Sequence, residues 1–191
     1  MHDETEARRS EVLRVFAASP NPMSVATVVD VENGLILTTA MQAYVKGVDV
    51  AAVITGHASA ERDLLIRASH WAERREPEPP RKFEMWGLGR LIDYYRSELK
   101  SDLLSSLSTL NIRRRTLYHY GHSQTASGLN QSTHAYIAKH GTGSLVAEYS
   151  TMHGQRPDQK ELFEHSTRTM LRGWALDSLE TALAARAWAI G

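Results

Sequence analysis

No cysteine occurs among the 191 residues. A disulfide scaffold, a thiol nucleophile and cysteinate metal sites are therefore excluded. An excess of one sign of charge is also lacking, since 22 Lys and Arg balance 22 Asp and Glu. That balance argues against a chain that coats nucleic acid by bulk electrostatics and leaves room only for a local patch. No apolar run approaches the length needed to span a bilayer, and the most apolar stretches are broken by charge. The opening MHDETEARRSE is polar and carries both signs, without the apolar centre of a secretory leader. A soluble, cytoplasmic protein with no membrane partner is expected. Internal repeats and low-complexity tracts are missing too.

What is present reads mostly as helix. Residues 4–18 set Val12, Val15 and Phe16 on one face, and Pro20 and Pro22 end that helix. Residues 24–31 are β-branched and fit either a short strand or a helix start. Leu35, Ile36, Thr39, Ala40, Ala43 and Tyr44 then recur at helical spacing, until Gly47 marks a tight helix–helix turn. A longer helix is expected over about residues 49–75, striped by Val50, Val53, Ile54, Ala58, Glu61, Leu64, Leu65, Ala68 and Trp71. Gly56 weakens it without ending it, and EPEPP at 76–80 stops it. Residues 84–96 and 98–119 follow as apolar-periodic segments. From Gly121 to about Pro157 the chain turns rich in Ser, Thr, Gly, Asn and Gln, which predicts a loop-like insert with one short helix around 131–139. The last helix, after Pro157, is the clearest, with Leu162, Met170, Leu171, Trp174, Leu179, Leu183 and Ala187 at helical offsets. Helices joined by short turns predict an all-α antiparallel bundle. We divide the chain into an N-terminal helix (1–22) and a helical bundle domain (23–191) with a polar insert at about 123–157.

The chemistry concentrates in IRRRTLYHYGH, residues 112–122. Arginine beside histidine suits phosphodiester chemistry. The imidazole moves a proton near neutral pH, and the guanidinium stabilises charge growing on phosphate. Arg114 and His119 are five apart, a rotation of about 140° beyond one full turn of helix. They do not share a tight face unless the helix ends near Tyr118 or the partner group comes from a second subunit. The plainer reading is a basic helix end facing the negative pole of the macrodipole.

The order of features around this stretch resembles the HEPN (higher eukaryotes and prokaryotes nucleotide-binding) family. In YVKGVDVAAVITGHASAERDLL the positions that carry the resemblance are Gly47, Asp49, Ala51, Ala52, Ala58, Glu61, Leu64 and Leu65. WGLGRLIDYY takes the place of the family's variable hairpin, and LSTLNIRRRTLYHYGH fits its helix ending in R-x(4 to 6)-H at Arg114 to His119. Arg115 stands where the family usually has Asn. Arg113 to His119 and Arg115 to His122 satisfy the spacing equally, so the serving arginine stays open. The resemblance spans roughly residues 33–122 and 158–190, and the insert has no counterpart in it.

The resemblance implies a bundle of HEPN type with an extra N-terminal helix and an inserted polar loop. It implies a metal-independent endoribonuclease on single-stranded RNA, acting as a homodimer in a toxin–antitoxin or antiviral defence setting, with an antitoxin or defence protein as partner. His119 would be general acid or base, and Arg114 would stabilise the pentavalent phosphorus. Arg113, Arg115, His122, Glu61 and Tyr120 would support them, and Tyr118 and Tyr120 would stack on bases or pack the helix end. Glu61 either orients the Arg/His cluster or pairs on the surface with Arg62 or Arg67. No cofactor and no metal are implied. Two alternatives remain. One is a non-catalytic helical module that binds nucleotides or a protein. The other is a helical di-metal oxidase using Glu161 and His165, four apart on one helix face, with His57 and His70 from elsewhere. His119 and His122, spaced H-x-x-H, fit that metal reading too. His134, His140 and His153 lie in the insert, which either covers a site or has no role.

Overall fold

The structure, a computed structural model, describes the backbone of residues 2–19, 28–118 and 123–191 and the side chains of residues 4–19, 34–117 and 128–191. The described residues form eight α-helices and no strand: α1 (His2–Ala18), α2 (Val28–Val45), α3 (Asp49–Ser69), α4 (Leu88–Tyr94), α5 (Ser101–Tyr118), α6 (Ser123–His140), α7 (Thr142–His153) and α8 (Gln159–Ile190). A 3₁₀ turn at Phe83–Met85 precedes α4. The expected all-α class is what the chain adopts. None of the helices is long and apolar enough to cross a membrane.

The turn from α2 to α3 follows from Gly47. Its φ of 74° is one that side chains rarely tolerate. It lets Gly47 N–H donate to Tyr44 C=O at 2.9 Å and Val48 N–H to Ala43 C=O at 2.9 Å, the paired bonds that close a helix C-terminus. α8 starts from a capping box. Asp158 Oδ1 accepts from Glu161 N–H at 2.8 Å, and Glu161 Oε2 accepts from Asp158 N–H at 2.9 Å.

α3 lies at the centre, packed against α2, α8, α5 and α4. Its buried residues therefore extend beyond the single expected stripe. Ala52, Gly56, His57, Ser59 and Asp63 are buried as well, whereas Val50 is exposed. α3 packs most extensively against α8, along a seam where Gly56 faces Ser178; both helices bury further small residues, among them Ala52, Ser59 and Ala60 on α3 and Ala175 and Ala185 on α8. A Cβ on Gly56 would stand 2.1 Å from Ser178 Oγ, so this glycine serves packing. Farther along the seam Arg186 meets Asp63 at 3.5 Å, with both side chains almost fully buried.

The 49–75 helix ends six residues early, at Ser69, and residues 70–75 turn back, with Arg75 at φ 56°. A chain of edge-on aromatic contacts, Trp86–Tyr94, Tyr94–Tyr95 and Tyr95–Trp188, at centroid distances of 5.5, 4.8 and 5.0 Å, ties α4 to the end of α8. On α2, Leu37, Ala40 and Tyr44 face the core, and Leu35 is exposed, contrary to expectation. Residues 28–31 resolve the earlier ambiguity as helix, and the rest of 20–27 lies outside the described residues.

The main correction concerns the insert. Residues 123–140 and 142–153 are two helices, α6 and α7, not a loop with one short helix. Their polar composition hid this. Hydroxyls bond back to the carbonyl four residues earlier, as Thr133 does to Leu129 and Ser150 to Val146. Packing on α8 supplies what propensity does not.

Candidate phosphate-binding cleft

A cleft of about 670 Å³ opens where α3, α4 and α5 meet. α3 contributes His57 and Glu61, one turn apart. α5 contributes Asn111, Arg114 and Arg115, which share a face at offsets of three and four. Arg90 on α4 and Arg96 just after it complete the cationic lining. Four guanidinium groups face two carboxylates, Glu61 and Asp93, on this wall.

The fixed points are few and specific. Glu61 Oε2 accepts the Leu88 N–H at 2.7 Å, which pins the first turn of α4 to α3. Of the two surface partners expected for Glu61, Arg62 and Arg67, the second bonds Glu76 at 2.6 Å and reaches Glu98 at 3.5 Å. Gly89 lets α4 approach α5, since a Cβ there would meet Asn111 Nδ2 at 3.0 Å and Arg115 at 3.4 Å. His57 is 6% exposed. Its Nε2 lies 3.4 Å from Asn111 Oδ1, so the ring donates there. Burial above all holds His57 below its ordinary pKa. The hydrogen bond to Asn111 and the charge of Glu61 act the other way, while Arg114 and Arg115 add to the lowering. Arg96 bonds Asp93 at 2.6 Å, and Arg90 lies 5.1 Å above the Trp86 ring.

The three consecutive arginines divide. Arg113 leaves on the opposite face of α5, where it bonds Asp177 at 2.8 Å and lies 5.3 Å from the centre of the Trp174 ring. It lines a separate groove of about 780 Å³ between α5 and α8, shared with Asp102, Asp177 and Glu180. Those carboxylates make that groove a poor host for phosphate. Arg114 and Arg115 stay with the cleft. Ile112, which also lines the cleft, is 63% exposed. His119, Tyr120 and His122 lie outside the described residues, and only the backbone of Tyr118 is described.

His57 entered the sequence reading only as a stray metal ligand, and Asn111, Arg90 and Arg96 not at all. The first two were detectable: His57 is four before Glu61, and Asn111 is three before Arg114. Arg90 and Arg96 were not, because only tertiary packing brings α4 and the residues after it to α5. Glu161 and His165 take different duties. Glu161 caps α8, while His165 approaches Glu148 at 3.5 Å and the Tyr149 ring at 5.5 Å. Among the described residues no group of three His, Asp or Glu side chains is placed to hold a metal. No family model, no curated protein and no solved structure matches the chain.

Proposed function

We propose that the protein is a metal-independent endoribonuclease of HEPN type that cuts single-stranded RNA at this cleft. The observation that carries the reading is the convergence of Arg114, Arg115, His57, Asn111 and Glu61, from helices far apart in sequence, on one cationic cleft. The surrounding bundle of α2, α3, α5 and α8, with Gly47 at its first turn, agrees with the architecture the resemblance implies. Arg114 is the motif arginine in this reading, with Arg115 beside it on the phosphate. Arg113, which bonds Asp177 on the other face of α5, is given no part in the reaction in this reading.

In the reaction the 2′-hydroxyl attacks the adjacent phosphorus and the bond to the 5′-oxygen breaks. The products are a 2′,3′-cyclic phosphate and a 5′-hydroxyl. His119 carries one of the two proton transfers, and Arg114 and Arg115 offset the charge on the pentavalent phosphorus. Single-stranded RNA supplies the backbone freedom that in-line attack requires. A two-fold pairing of chains would set two α5 ends side by side.

The test is incubation of the purified chain with unstructured RNA in excess EDTA. Fragments with cyclic phosphate ends are expected, with the rate falling at least about a hundredfold in His119→Ala, the scale of a lost acid–base group. Arg114→Ala should lose a comparable factor. RNA left intact by the wild-type chain across conditions would sink the proposal.

A further inference from the structure

A cleft with more guanidinium groups than carboxylates already disfavours another cation, and His57 sits in its wall. The ring is buried beside Arg114 and Arg115, and in the open cleft all three circumstances oppose its protonation. Its hydrogen bond is suited to both protonation states. Nε2–H donates to Asn111 Oδ1 whether the imidazole is neutral or charged, so a proton can be added at Nδ1 without turning Asn111. The carboxylate that acts on the ring, Glu61, is engaged by the Leu88 N–H and does not offset burial and the two arginines.

We propose that the cleft binds a phosphodiester group of single-stranded nucleic acid with His57 as a third cationic partner beside Arg114 and Arg115, a proton being taken up at His57 as the phosphate enters. The inference takes its ligand class from the function proposed above but does not depend on cleavage. The groups that set the balance are those facing His57. On its own helix Glu61 favours the proton, and Arg114 and Arg115 on α5 oppose it. On the α4 side Arg90, Asp93 and Arg96 line the same cleft, with Asp93 and Arg96 bonded to each other. The α8 surface against neighbouring Gly56 presents Ser178, which does not titrate.

The sign follows from linkage. An anion beside the ring raises its pKa from the depressed value of the empty cleft. Affinity therefore climbs as pH falls through the higher, bound value, and levels off below the lower, free one. A phosphodiester keeps its charge throughout this range, so the dependence reports the protein alone.

The experiment is calorimetric titration of the whole chain with a single-stranded 2′-deoxy oligonucleotide, which lacks the attacking hydroxyl. Two buffers of different ionisation enthalpy reveal proton uptake near neutral pH. Uptake is expected in the wild type, with affinity rising as pH falls from about 8, by up to about tenfold for each unit by which the pKa is raised. His57→Gln should bind with both effects removed, and His70→Gln, outside the cleft, should retain them. An imidazole NMR titration of the wild type gives the same answer without substitution, as the His57 midpoint should move up when the oligonucleotide is added. No binding, binding without uptake, an unmoved His57 midpoint, or uptake that persists in His57→Gln and vanishes in His119→Ala would overturn the inference. A wild-type chain that binds with uptake yet leaves RNA intact would uphold it and overturn the ribonuclease reading instead.

Discussion

At the scale of residues, two buried ion pairs among the described residues, Arg8 with Asp49 and Asp63 with Arg186, join helices distant in sequence. Asp63 and Arg186 meet inside the α3–α8 seam. Removing one partner strands the other in a low-dielectric interior. Arg186→Met is expected to destabilise the fold by about 3–5 kcal/mol, and the double variant with Asp63→Leu by much less. Urea denaturation of the three proteins tests this, and equal losses would contradict it. Glu11 offers a pH-dependent counterpart. Burial alone would raise its carboxyl, but hydrogen bonds from Tyr44 and Arg172, and the Arg172 charge, outweigh burial and hold it below the ordinary value. A depressed carboxyl contributes stability above its unfolded pKa of about 4.5, lost as pH falls through the lower folded value. Thermal melts between about pH 6 and about pH 3 should show a smaller acid loss in Glu11→Gln than in the wild type, because the variant has no carboxyl to protonate.

At the scale of elements, three helices depend on contacts that composition does not display. α3 reaches α8 only because position 56 has no side chain. Gly56→Val should force the seam apart and cost about 1–3 kcal/mol, despite valine being no worse a helix former than glycine. An unchanged denaturation midpoint would show that the seam is looser than described. α1 is held by charge as well as by apolar burial. Arg8 grips Asp49 through two bonds of 2.5 and 3.1 Å and the Tyr44 carbonyl at 3.1 Å, while Val12 and Val15 bury the apolar side. α4, at seven residues, is too short to hold a helix by itself. Glu61 on its first amide and the aromatic chain through Tyr95 to Trp188 keep it in place, and with it the outer wall of the cleft.

At the scale of the whole molecule, a zero net charge coexists with a locally cationic cleft. Nucleic-acid binding by this surface should therefore be confined and modest in its salt response. The logarithmic slope with salt should correspond to only about two to four phosphates, near one per cleft guanidinium. Reversing Arg114 and Arg115 to Glu should abolish oligonucleotide binding, and reversing Arg9 and Arg14 on α1 should leave it unchanged. Electrophoretic mobility shifts at two salt concentrations distinguish these outcomes. Equal weakening by both double variants would point to diffuse surface charge instead.

The sequence by itself determined the helical class, because apolar spacing and Gly, Pro and capping residues act within a few turns of chain. The turn at Gly47, the breaker at EPEPP and the start of α8 behind Pro157 all follow from such local rules. It also drew attention to the arginines, since three consecutive cations stand out in any composition. Only the tertiary structure decided which of them share a cleft. Neighbouring positions on a helix point about 100° apart, so α5 gives Arg113 to Asp177 and carries Arg114 and Arg115 toward α3. It also decided that the polar insert is helical, because its stability comes from docking on α8. His57 acquires its altered proton affinity from burial and from arginines more than fifty positions away, a relation that spacing along the chain cannot express.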